Sequence, residues 1–175
     1  MVSLITPTGA VRNEAYITGA WVMVAAAAVI LLALGFEYIG NYLPCPLCLQ
    51  QRYAYYAGIP LTFVALVGVS SNQRRLAGIL FVIVALAFLA NTGLGIYQSG
   101  AEWKFWPGPQ SCGTMQTIGG TSGGILDKLD ATTVIKCDEA QWRFAFLSFA
   151  GWNAVISLAL ALASLKAATD SIRQH

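Results

Sequence analysis

The chain is short of charge. Of its 175 residues only 10% are charged, while 57% are hydrophobic. A soluble domain carries roughly a quarter charged residues. This balance excludes an ordinary soluble globule and points to an integral membrane protein. The formal net charge is only +2, and no basic cluster interleaves with aromatics. Both absences argue against a nucleic-acid partner. Histidine is nearly missing too, the single one being the C-terminal His175. A zinc site needs a second close Cys or His pair. Here Cys112 and Cys137 lie far apart, so no metal is expected. There is no internal repeat, and no low-complexity tract beyond alanine-rich patches.

Long apolar runs take the place of charge. They cover about 17–36, 49–69, 76–97 and 144–165, each near the roughly 20 residues that cross a bilayer. The first run is long and ends in Phe36-Glu-Tyr-Ile. A cleaved signal peptide would want a shorter apolar core, a basic start and a small-residue cleavage site, so a retained span is expected. Pro60 interrupts the second run and should kink it, which membrane helices tolerate. Ser70 to Arg75 is a short polar turn. The expected fold is an all-α membrane protein, a four-helix transmembrane bundle forming a single domain over 1–175. Its first loop covers about 37–48, and its long third loop about 98–143.

Orientation follows from charge and from sulfur. Arg12, Arg74, Arg75, Lys166 and Arg173 fall on one side, which the positive-inside rule makes cytoplasmic, with both termini. All four cysteines fall in the two loops on the other side. Disulfides persist in oxidising compartments, so in a bacterium those loops should be periplasmic. Trp103, Phe105 and Trp106 suit the membrane interface, as do Trp142 and Arg143. Gly119 to Gly124 reads as flexible, and Ile125 to Asp130 as one amphipathic turn. Glu37, near the outer end of the first span, reads as solvated.

The chemistry concentrates in Pro44-Cys45-Pro46-Leu47-Cys48-Leu49-Gln50-Gln51-Arg52. Cysteines at C-x-x-C spacing are a redox pair or half of a metal site. On a helix, Cys48 and Arg52 stand at i and i+4 on one face. A helix N-terminus and a guanidinium both favour a thiolate there. Arg52 alone would read as a snorkelling interface residue. Four cysteines allow three connectivities. A Cys112–Cys137 bridge would close a loop of about 25 residues, worth roughly 3 kcal/mol in the chain-entropy model. Taken alone that pair reads as a structural staple; beside a C-x-x-C it reads as exchangeable.

These residues resemble the DsbB family of bacterial inner-membrane oxidases. The resemblance is carried by four spans, C-x-x-C at the mouth of the second, Arg52 four residues past Cys48, and Cys112 and Cys137 before the fourth span. Tyr97, Trp106-Pro-Gly-Pro109 and Cys137-Asp-Glu-Ala-Gln-Trp-Arg143 add to it, and the likeness covers about Trp21 to Leu165. It implies a quinone-dependent protein-dithiol oxidoreductase that reoxidises a DsbA-like periplasmic thioredoxin-fold protein. The implied loop disulfide is Cys112–Cys137, with Cys112 holding the mixed disulfide. Electrons would pass to Cys45–Cys48, through a Cys45–Cys137 intermediate, and from Cys48 to ubiquinone or menaquinone in the lipid bilayer. Arg52 corresponds to the family's arginine at the quinone ring. One departure stands out: typical members carry a histidine just after the third span, whereas here Tyr97 is followed by Gln98-Ser99-Gly100. A paralogous oxidase for a dedicated partner is the neighbouring reading. A tetraspanin-like scaffold is the reading from another class, and it has no use for a C-x-x-C at the second span.

Overall fold

The computed structural model describes residues 7–42, 44–108, 115–117, 132–134 and 143–173, with side chains over 14–42, 44–108 and 143–173. Cys112, Cys137, Trp142, the glycine-rich stretch and the Ile125 to Asp130 turn lie outside the described residues.

Helix α1 covers Pro7–Tyr38. Helix α2, Pro46–Ser70, starts where local chemistry favours it. Cys45 is its extended N-cap, and the sulfur accepts the Cys48 N–H at 3.1 Å. Pro46 follows at a first-turn position, where a missing N–H costs nothing. The helix continues through Pro60 to Ser70. A tight turn then passes Asn72, at φ 60°, a left-handed conformation that asparagine tolerates. Helix α3 covers Arg74–Glu102. Two short antiparallel pairs follow: β1 (Met115–Thr117) with β2 (Thr132–Val134), and β3 (Arg143–Phe144) with β4 (Leu147–Ser148). Helix α4 covers Phe149–Ile172, with Ser148 as N-cap accepting the Gly151 N–H at 3.2 Å. The four helices are long and apolar enough to cross a membrane.

The fourth helix begins later than the expected span at 144. Residues Arg143–Ser148 make the β3–β4 hairpin instead, with Ala145 and Phe146 at positive φ in its two-residue loop. Such a loop normally advertises itself with Gly or Asn. Phe144-Ala-Phe-Leu carries neither, so it reads as the start of an apolar helix.

Each helix packs on two neighbours around a ring: α1 on α2 and α4, and α3 on α2 and α4. Lipid offers no hydrophobic drive between helices, so close approach through small residues matters. At Gly95 a Cβ would sit 2.9 Å from Ala154 Cβ and 3.0 Å from the Ala150 carbonyl oxygen. No larger residue fits between α3 and α4 there. The interior holds two apolar clusters. One joins Val22, Ile30, Tyr55, Val84, Phe88 and Leu160. The other joins Ala65, Leu66, Ala77, Phe81, Ala167 and Ala168, toward the end of the bundle away from Cys45. Trp21, Leu31 and Leu86 point outward, as a lipid-facing surface requires.

Candidate functional site

Cys45 and Cys48 form a disulfide at the head of α2, with Cα atoms 5.0 Å apart. They line a cavity of about 470 Å³. Its walls are largely apolar, from Val29, Ile30, Ala33 and Phe36 of α1 and Ile156 of α4. Phe36 and Phe149 meet edge to face with ring centres 5.1 Å apart, and Tyr42 packs edge to face on both. The two sulfurs therefore open on a largely apolar chamber between the helices.

Arg52, one turn beyond Cys48, lines the same cavity. Its guanidinium donates to the Glu37 carboxylate at the end of α1. The two side chains are 12% and 23% exposed. Glu37 is thus an ion-pair partner and not the solvated carboxylate expected from sequence. The physical reason lies in α1 extending to Tyr38, which keeps Glu37 helical and turned to α2. An arginine at membrane depth is costly without such a partner.

The site also contains a residue that sequence reasoning noted only as a missing histidine. Gln98, buried in the last two turns of α3, places its side-chain Nε2 3.4 Å from the sulfurs of both Cys45 and Cys48. Disulfide sulfurs only accept, so the amide N–H groups are the donors. The orientation of Gln98 is set from below. Its Oε1 accepts from Gln51 Nε2 at 2.8 Å, and Gln51 Oε1 accepts from Asn153 Nδ2 at 2.7 Å. Asn153 Oδ1 in turn accepts from the Tyr55 hydroxyl at 2.6 Å. Asn91 and Ser157 continue the polar column, 2.8 Å apart. From Tyr55 through Asn153 and Gln51, each donor faces the next residue toward Gln98. The available signal was amides inside apolar runs, since polar residues at membrane depth face the protein interior and mark function.

Beyond the pair, α3 ends at Glu102 and the chain folds back. Trp106 donates its indole N–H to the Tyr97 carbonyl at 2.9 Å and stacks on the Tyr97 ring. Its ring lies where a side chain at Gly100 would be. Trp103 and Phe105 remain exposed, as interface anchors do.

Chemically, the arrangement suits charge appearing on sulfur. A thiolate at the start of α2 would meet the positive end of the helix dipole and the Gln98 N–H groups. The chamber beside it is walled mainly by apolar side chains, which strengthens both effects.

The comparisons with known proteins agree with this geometry. A family model described as Disulfide bond formation protein DsbB matches residues 17–167. A Disulfide bond formation protein B of Polaromonas sp. is 30% identical, covering 87% of this chain and 91% of that protein. One of Xanthomonas oryzae pv. oryzae is 31% identical, covering 83% and 81%. One of Marinobacter nauticus is 27% identical, covering 77% and 80%. No solved structure matches the chain. With a dithiol-spaced disulfide at the mouth of a membrane helix and a family match over most of its length, this four-span chain belongs to the DsbB family.

Proposed function

We propose that this protein is a disulfide oxidase of the bacterial inner membrane. It reoxidises a DsbA-like periplasmic dithiol protein and passes the electrons through two cysteine pairs to a membrane quinone. The observation that carries this reading is the Cys45–Cys48 disulfide opening on an apolar chamber of about 470 Å³. A chamber of that size falls within the range of small-molecule sites, and its chemistry suits a quinone ring. Val29, Ile30, Ala33 and Phe36 would hold the ring's faces, and Arg52 would supply positive charge beside it. A bound ubiquinone or menaquinone would supply two-electron, two-proton acceptor chemistry.

The chain's own residues do the rest. The partner's thiolate attacks Cys112 of a Cys112–Cys137 disulfide, and Cys137 leaves. Cys137 then attacks Cys45, and Cys48 leaves as a thiolate. The partner's second thiol closes the partner's disulfide and frees Cys112, which attacks Cys137, re-forms the loop disulfide and releases Cys45 reduced. Gln98 steadies the sulfurs throughout, and Glu37 holds Arg52 in place. The whole forms one membrane domain with both termini cytoplasmic and the cysteine loops periplasmic, as Arg74 and Arg75 in the short α2–α3 connection favour.

Trapping tests the relay. Cys137→Ala leaves a mixed disulfide at Cys112 without a resolving thiol. A thioredoxin-fold protein should then run as a reducible adduct on a non-reducing gel, and adding Cys112→Ala should abolish it. Purified wild type should reduce ubiquinone when fed the reduced partner. An adduct that survives Cys112→Ala, or no quinone reduction, would overturn the reading.

A further inference from the structure

Glu102 is the most buried charged side chain among the described residues, at 7% exposure. Its Oε2 has no hydrogen-bond partner among them. A buried carboxylate oxygen left unpaired is costly and calls for an explanation. Its location supplies one. Glu102 lines the same chamber as Cys45 and Cys48. Its Oε1 is 3.4 Å from Gln98 Nε2, the nitrogen that also lies 3.4 Å from each sulfur. Carboxyl group and disulfide share one donor.

We propose that Glu102 is the proton acceptor of the Cys45–Cys48 pair, taking up a proton when the pair is reduced and releasing it when the disulfide closes. The inference rests on reading that pair as exchangeable. Two thiols of the loop pair enter with two protons and two electrons. The loop pair leaves as a disulfide, and the Cys45–Cys48 bond is broken. One proton stays on Cys45, Cys48 remains a thiolate, and the second proton goes to the Glu102 carboxylate. Charge is unchanged across the step. When the pair closes again, Cys45 and Glu102 each give up a proton. Two electrons then leave with two protons, as reduction of a quinone to a quinol requires.

The surroundings fit a group that changes charge. From the β3–β4 hairpin, Arg143 and Ser148 approach the carboxyl. Across the chamber lie Glu37, Tyr42, Arg52 and Tyr55, with Arg52 already matched by Glu37. The proton on Glu102 offsets the negative charge arriving on Cys48, so the chamber never holds both anions.

Infrared difference spectroscopy tests this on the full chain in detergent, with Cys112→Ala and Cys137→Ala leaving a single pair. The pair is reduced with dithiothreitol, and its thiols are counted by alkylation. The reduced-minus-oxidised spectrum should gain the C=O band of one protonated carboxyl per pair. Glu102→Gln should lose that band, and Glu102→Asp should keep it at a shifted frequency. A reduced pair with no carboxyl gain, or a band that persists in Glu102→Gln, overturns the proposal while leaving the exchange reading intact. If alkylation finds no thiols after reduction, the exchange reading itself fails and the proposal falls with it.

Discussion

The two ends of the bundle are built from opposite materials. At the far end, Ala65, Ala77, Phe81 and Ala167 are fully buried, and the Gly68 Cβ position is 3.4 Å from Ala77 Cβ. The helices touch through small residues, and among the described residues no polar column runs between them, the buried Ser164 and Ser171 hydroxyls donating to carbonyls of their own helix. At the cysteine end they part around a chamber, and Gln51, Gln98, Glu102 and Asn153 take the interior positions. The ion pairs divide the same way. Arg52–Glu37 is mostly shielded, while Lys166–Glu14 at the far end has side chains 58% and 65% exposed. Close packing holds the helices at one end, while the other keeps a largely apolar chamber with a few polar groups gathered at the sulfurs. Stability and chemistry are separated along the membrane normal.

The largest blow to that division would come from Phe81→Ala. Emptying a fully buried aromatic position should cost about 3–5 kcal/mol of unfolding free energy in mixed micelles. The glutathione equilibrium of Cys45–Cys48 should stay put. A shift in that equilibrium would mean that the two ends are coupled.

Arg52→Met strikes the other end. It strands Glu37, and because the pair is partly exposed the stability loss should be about 1–2 kcal/mol. The apparent quinone KM should rise, with Arg52→Lys intermediate because it loses the planar fork. Adding Glu37→Gln should return stability without returning the KM. Steady-state quinone reduction in one detergent reads both, and unchanged kinetics in Arg52→Met would reduce Arg52 to a structural partner of Glu37.

Gln98→Leu sharpens the contrast within the cysteine end. Losing a donor to a thiolate is worth about 1.5 kcal/mol or more, roughly tenfold in the reduction equilibrium. The pair should therefore favour the disulfide, measured against glutathione. Gln98→His, restoring a ring N–H, should recover part of the shift. The smallest effect belongs to Lys166→Ala, where an exposed ion pair should contribute less than about 0.5 kcal/mol. A larger loss would show that the far end depends on charge as well as packing.

How far the chain could be read depended on what each feature needs. Four spans were legible because apolar length alone decides whether a helix crosses a membrane. The C-x-x-C pair and Arg52 were legible because their spacing is local: one helical turn puts Cys48 and Arg52 on one face whatever surrounds them. The start of α4 was not, since Ala145 and Phe146 adopt positive φ without the residues that normally signal it. Ser148, the last residue of that hairpin, caps the helix beyond it and so fixes where the helix starts.

Partnership across helices belongs to the tertiary structure. Glu37 and Arg52 are 15 positions apart, Gln51 and Gln98 47, and Gln51 and Asn153 102. Each side chain's character is written in the sequence, and its helical period says which neighbours share its face. Nothing in that period says which face of another helix will meet it, or at what height. Only when α1, α2, α3 and α4 close their ring does Gln98, the residue after Tyr97, come to sit on both sulfurs, with Glu102 one turn behind it.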